Sequence, residues 1–237
     1  VVRGLAALLG LAAAQAYVLL AGELPRLDPP DTALLVAGAA GLLVIVVDCA
    51  VTAPVSDERP LLWLILLGGA VVVATINAAD AGAAATPAEA VTWAALGGAF
   101  ALAMLTPPLA IALPLFVAGV DVVSAVLGGP GEVLAEAGQS QAGDPLTLEL
   151  PAWGDGIAAG HVGAADAVFA GAFLVYARRF GLRPVATAVG LAIALIGALV
   201  LKLEADVEIP PVPLMSAAYF LVNADRLGAL FRRTGEG

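Results

Sequence analysis

Eight apolar stretches run through this chain, at residues 5–22, 32–53, 60–78, 88–106, 107–127, 156–176, 184–203 and 213–230. Each is long enough to cross a hydrocarbon core of about 30 Å. Such a pattern leaves little choice of fold. Inside lipid every backbone N–H and C=O must bond within the protein, and apolar runs of this length do so as helices. Composition agrees: 61% of the 237 residues are hydrophobic and 13% charged, against about 45–50% and 25% in soluble domains. The expected architecture is an all-α polytopic membrane protein with about eight transmembrane helices, or nine if a span precedes Val1. Abundant Ala and Gly favour closely packed helices, because small side chains let backbones approach where water does not drive association.

Prolines mark the gaps between spans: Pro25, Pro29, Pro30, Pro54, Pro60, Pro87, Pro107 and Pro108. They interrupt helices by removing a donor and clashing with the preceding turn. The fourth and fifth spans meet at Thr106-Pro107-Pro108, and Pro114 is expected to bend the fifth, freeing carbonyls near Asp121. A signal-peptide reading of the first span, cleaved after Ala14-Gln15-Ala16, conflicts with the apolar residues that continue past that site. The organisation expected is about four amino-terminal transmembrane helices in residues 1–106. A helical core at 107–237 follows, interrupted by a loop at 128–155.

The distribution of Lys and Arg sets the expected orientation. With the amino terminus in the cytoplasm, Arg3, Arg59, Arg178, Arg179, Arg183, Arg226, Arg232 and Arg233 all lie on the cytoplasmic side, leaving Arg26 and Lys202 opposite. Both termini are then cytoplasmic and loop 128–155, which has no Lys or Arg, is extracytoplasmic. That loop opens with the turn signal Gly128-Gly129-Pro130-Gly131 and offers a short helical run at 132–137. It then alternates as a strand through Leu146-Thr147-Leu148-Glu149-Leu150. A strand beside a membrane helix exposes an edge that an extended substrate could complete.

Several chemistries are excluded early. Cys49 is the single cysteine, so no internal disulfide forms, and His161 is the single histidine, too few for a zinc cluster. Twenty acids against ten bases leave no basic footprint for nucleic acid. What remains is carboxylate chemistry. Asp121 and Asp166 lie deep in separate apolar spans, where a charge costs about 2.5–3.5 kcal/mol even on lenient scales. Spans joined by one loop run antiparallel, so the two carboxyls can meet at similar depth, with Asp166 near mid-span. Gly163, Ala164 and Ala165 would permit close helix approach there. Two adjacent carboxyls share a proton and titrate as a unit. Such a pair hydrolyses a peptide bond without metal or cofactor: one member takes a proton from water, the other polarises the carbonyl.

Glu208-Ile209-Pro210-Pro211-Val212-Pro213-Leu214 opens the last span, leaving backbone groups that only protein, water or substrate can satisfy. Prolines at a first helical turn are also ordinary helix-start chemistry. Together, Val120-Asp121, Gly163-Ala164-Ala165-Asp166 and Pro210-Pro211-Val212-Pro213 resemble the signature of presenilin and signal-peptide-peptidase-type intramembrane aspartyl proteases. That signature is Tyr-Asp, Gly-x-Gly-Asp and Pro-Ala-Leu-Pro, in the same order. Three positions depart from it: Val120, Ala165 and the Pro-Val pair at 211–212. The resemblance implies a presenilin-like bundle with catalytic Asp121 and Asp166. It also implies substrate contacts at Gly163, Ala165, Pro210, Pro211, Val212 and Pro213, and no cofactor or metal. Its substrates would be transmembrane segments of other membrane proteins, cut within the bilayer. The alternatives are a proton-coupled transporter or channel, in which the two aspartates relay protons, and an inactive presenilin-like scaffold.

Other polar residues are expected to serve structure. Asp48 is read as solvated or paired with a terminal group, and His161 as an interfacial contact more than a turn from Asp166. Asn223 and Asp225 are read as satisfying backbone or Arg226. Gly68-Gly69 and Gly97-Gly98 are read as packing sites.

Overall fold

The structure, a computed structural model, describes residues 2–79, 81–127, 146–154, 159–205 and 209–234. These residues are mostly helical. The helices are α1 (Val2–Leu20), α2 (Pro30–Thr52), α3 (Arg59–Ala78), α4 (Thr86–Ala103), α5 (Leu109–Leu127), α6 (Ala164–Arg179), α7 (Pro184–Ala205) and α8 (Pro211–Thr234). Two short strands, β1 (Thr147–Leu150) and β2 (Gly160–Gly163), precede α6. Among the described residues, three segments are by length and composition apolar enough to cross a membrane: Pro30–Asp57, Arg59–Ala78 and Pro184–Ala205. Shorter apolar helical stretches occupy Leu9–Glu23 and Leu109–Ser124.

Proline stands at helix boundaries, but Pro30, Pro60 and Pro87 lie inside a first helical turn rather than in the gap before it. Pro30, Pro60, Pro87, Pro184 and Pro211 each stand in the first two positions of a helix. There the missing N–H has no intrahelical acceptor to lose and the fixed φ suits the helix. Pro107 and Pro108 fall between α4 and α5. Pro114 does lie inside α5, but the carbonyl it deprives of a donor is that of Ala110. Eleven residues separate Ala110 from Asp121, roughly 16 Å along a helix, so the expected free carbonyls are not at Asp121.

In the core, α4 packs on α2, α3 and α6, α7 on α2 and α8, and α5 on α8. Helix α6 is the most enclosed, with Phe173, Leu174, Val175 and Tyr176 all buried. Its contact with α4 is set by glycine. A Cβ on Gly97 would strike the Val168 carbonyl, and one on Gly171 would strike the Ala94 backbone. The close approach expected at Gly163, Ala164 and Ala165 therefore occurs further along α6, where it meets α4. Gly69 also packs tightly, against Thr92, whereas a Cβ on Gly68 would meet nothing and one on Gly98 only ordinary contacts.

The largest correction concerns the span expected at 156–176. Residues 160–163 are strand, and the helix starts at Ala164. Gly160 and Gly163 weaken helix here, Gly160 having a φ of 111°, and the segment instead pairs with the predicted strand at 147–150. The register is antiparallel: Thr147 with Gly163, Leu148 with Val162, Glu149 with His161 and Leu150 with Gly160. Leu148, Leu150 and Val162 point into the core. The turn at 128–131 and the helical run at 132–137 lie outside the described residues.

Candidate active site

The start of α6 fixes Asp166. Gly163 is the N-cap and Asp166 the third helical residue, not a mid-span one. Its carboxyl reaches back to accept the Gly163 N–H, the return bond of a capping box, in a first turn where the helix dipole favours negative charge. Asp166 is only 7% exposed.

Asp121 stands on α5, and its carboxyl accepts a hydrogen bond from the Val212 backbone N–H. The proline run explains that donor. Pro210, Pro211 and Pro213 have no N–H, so Val212 supplies the one donor in the run, and in a first turn it has no acceptor within the helix. Each aspartate is thus held by a backbone N–H at a helix start, Asp166 at α6 and Asp121 at α8. Deeper along the same interface, Ser216 of α8 donates to the Pro114 carbonyl at 3.0 Å. Asp121 Oδ2 is buried with no hydrogen-bond partner among the described residues.

Asp121 and Asp166 are close enough to interact electrostatically, and both line one cavity of about 590 Å³. Gly163, Pro210 and Pro211 line it with them. Of the other residues expected to touch substrate, Ala165 is exposed beside the cavity, Pro213 half-buried and Val212 buried, and none of these three lines it. Val212 acts through its backbone instead. The sequence reading missed Ser124 and Lys202, both in the lining. Ser124 follows Asp121 by three residues on α5, and Lys202 follows Leu195 by seven on α7; helical periodicity alone places each on its partner's face.

All four residues of β2 line the cavity. The outer side of β1, by contrast, meets the start of α4, where Thr86 Oγ1 donates to the Glu149 carbonyl at 2.5 Å. The strand edge facing the aspartates therefore belongs to β2, not to the predicted strand. His161 is placed by that edge: it is an exposed cavity-lining residue of a strand, not a helical residue a turn away.

Asp48 departs furthest from expectation. It is 0% exposed, and neither carboxyl oxygen has a hydrogen-bond partner among the described residues. Asn223 does satisfy backbone, accepting from the Arg183 N–H and donating to the Tyr219 carbonyl and Thr187 Oγ1. Asp225 pairs with Arg183, at 2.7 and 2.9 Å, while Arg226 caps the Gly181 and Leu182 carbonyls. Arg178 pairs with Asp57 at 2.9 Å. No group of three or more potential metal ligands occurs among the described residues.

Comparison with protein-family models, with curated proteins and with solved structures finds no match to this chain.

Proposed function

We propose that this chain is an intramembrane aspartyl protease of the presenilin and signal-peptide-peptidase type, with Asp121 and Asp166 as its catalytic pair. The convergence of both carboxyls on one cavity, with the Val212 N–H bonded to Asp121, carries that assignment. One carboxyl is ionised and takes a proton from water as the water oxygen attacks the peptide carbonyl. The other, protonated, gives its proton to the carbonyl oxygen. Collapse of the tetrahedral intermediate breaks the C–N bond and sends a proton to the departing amine. Backbone donors at Val212 and Gly163 hold the two side chains without consuming the unpartnered oxygen of Asp121. The β2 edge offers main-chain groups to an unwound substrate segment.

The membrane setting is part of the same proposal. The eight helices form a transmembrane bundle with both termini in the cytoplasm and the 128–155 loop outside, and the substrates are membrane-spanning helices. Large apolar side chains directed away from the core support lipid contact: Phe116 is 68% exposed and Leu221 78%.

Purified protein in detergent, given a single-span substrate, tests the chemistry. Cleavage should vanish with Asp121→Asn and with Asp166→Asn, and should be blocked by a transition-state-like aspartyl protease inhibitor. Cleavage surviving either substitution would reject the dyad. Proton-dependent flux in liposomes, without cleavage, would favour transport instead.

A further inference from the structure

Resting on the protease reading, we propose that the Ser124 hydroxyl holds an unwound substrate by hydrogen bonding to one of its main-chain carbonyls, on the edge that β2 leaves unpaired. On α5, Asp121 and Ser124 are three residues apart, on one face and about 4.5 Å from each other along the axis. Both line the cavity, whereas Val120, Val122 and Val123 are exposed and do not. Ser124 is half-buried, and its Oγ has no hydrogen-bond partner among the described residues. Other helical hydroxyls here behave differently. Thr52, Thr75 and Thr92 each donate to the carbonyl four residues back, and Ser216 donates across to the Pro114 carbonyl. Back-bonding of that kind is the ordinary fate of a hydroxyl in an apolar helix. Ser124 keeps its proton for the cavity.

A substrate segment cut here has left its own helix, which frees main-chain groups in a bilayer that cannot satisfy them. Paired along β2, an extended segment bonds through alternate residues, and the groups of the others point to the opposite edge. Helix α5 packs on α8 and α6, and the sheet on α2 and α4, so α5 and β2 bound the cavity from different sides. On the α5 and α8 side, the described lining residues are Asp121, Ser124, Ile209, Pro210 and Pro211. The prolines have no N–H to give, and the neighbouring Val212 N–H is already bonded to Asp121. Apart from the carboxyl proposed for the chemistry, Ser124 is the side-chain donor of that wall.

The test uses the full chain in detergent and single-span substrates in which each peptide bond flanking the scissile one is replaced in turn by an ester. An ester carbonyl is a weaker acceptor than an amide carbonyl. Ser124→Ala should lower kcat/KM on the all-amide substrate about three- to tenfold, with Tm unchanged or slightly raised. Ser124→Cys, close in shape but a weak donor, should match Ser124→Ala. At one substrate position the ester penalty should be several-fold smaller in Ser124→Ala than in wild type, and at the others equal. It should shrink without vanishing, because in a trans peptide the same ester removes an N–H that faces β2. Equal penalties at every position, or full activity in either variant, would overturn the proposal and leave the dyad standing. A fall in Tm that accounts for the lost activity would assign the hydroxyl to the fold instead. A shifted pH profile of kcat/KM would assign it to Asp121, and either result overturns the proposal. Failure of wild type to cleave any substrate would reject the protease reading, and this contact with it.

Discussion

The Val212 backbone N–H is donated to the carboxyl of Asp121, joining the start of the last helix to an aspartate some ninety residues earlier in the chain. The surrounding prolines make this bond singular, because their nitrogens cannot donate. Val212→Pro should therefore remove the bond, whereas Val212→Ala should keep it. A hydrogen bond to a charged group contributes about 1.5–3 kcal/mol, so Val212→Pro should lower kcat/KM roughly 10- to 100-fold. Val212→Ala should remain within a few-fold of wild type. Thermal unfolding of both variants separates lost positioning from lost fold. Equal activity in the two, with equal Tm, would show that the bond does not position Asp121.

Gly163 invites the opposite expectation. Its φ is −66° and ψ 141°, extended backbone open to any residue, and an added Cβ would sit at an ordinary 3.5 Å from Asp166 Oδ2. What the site uses is its N–H. Gly163→Ala should fold and cleave within a few-fold of wild type, while Gly163→Pro, which removes the donor, should lose activity by at least tenfold. A dead Gly163→Ala enzyme with an unchanged Tm would mean that substrate needs the bare glycine.

How far the sequence can be read follows from which signals are local. Proline positions and apolar length are local, and from them the spans expected to begin at residues 32, 60, 88, 184 and 213 fall within two residues of the helix starts at Pro30, Arg59, Thr86, Pro184 and Pro211. The strand at 147–150 was legible from its alternation, but its partner was not. Gly160-His161-Val162-Gly163 is too short and too apolar to tell from the beginning of a helix, and only pairing with β1 decides it. Asp121 and Asp166 stood out because acids are costly in apolar runs. Asp48 has the same mark but reads from sequence as solvated or paired with a terminal group, because nothing local says which helix face is covered. Ser124 and Lys202 needed a neighbour's position to define a face.

Gly68 and Gly97 occupy comparable helix interiors in opposite environments. A Cβ on Gly97 would meet the Val168 carbonyl, while one on Gly68 has open space around it. Overpacking a tight site costs about 1–3 kcal/mol, and replacing an unconstrained helical Gly by Ala gains about 0.5–1 kcal/mol. Gly97→Ala should lower Tm in detergent by several degrees, and Gly68→Ala should leave it unchanged or slightly raised. Equal shifts for the two would contradict the α4–α6 contact.

Asp48 is enclosed by the protein with both carboxyl oxygens unpartnered. Thr52 does not help it, because that hydroxyl donates to the Asp48 backbone carbonyl at 2.7 Å, not to its side chain. A buried polar group without a partner costs about 1–3 kcal/mol, and Asp is a poorer helix former than Ala by several tenths of a kcal/mol. Removing so small a side chain leaves little cavity to offset those gains. Asp48→Ala should therefore raise Tm by roughly a few degrees. It should leave cleavage unchanged, since Asp48 does not line the cavity that holds Asp121 and Asp166. A fall in Tm of several degrees would mean that the carboxyl has a partner worth more than its desolvation costs. Loss of cleavage at unchanged Tm would tie this third acid to the proposed pair, Asp121 and Asp166.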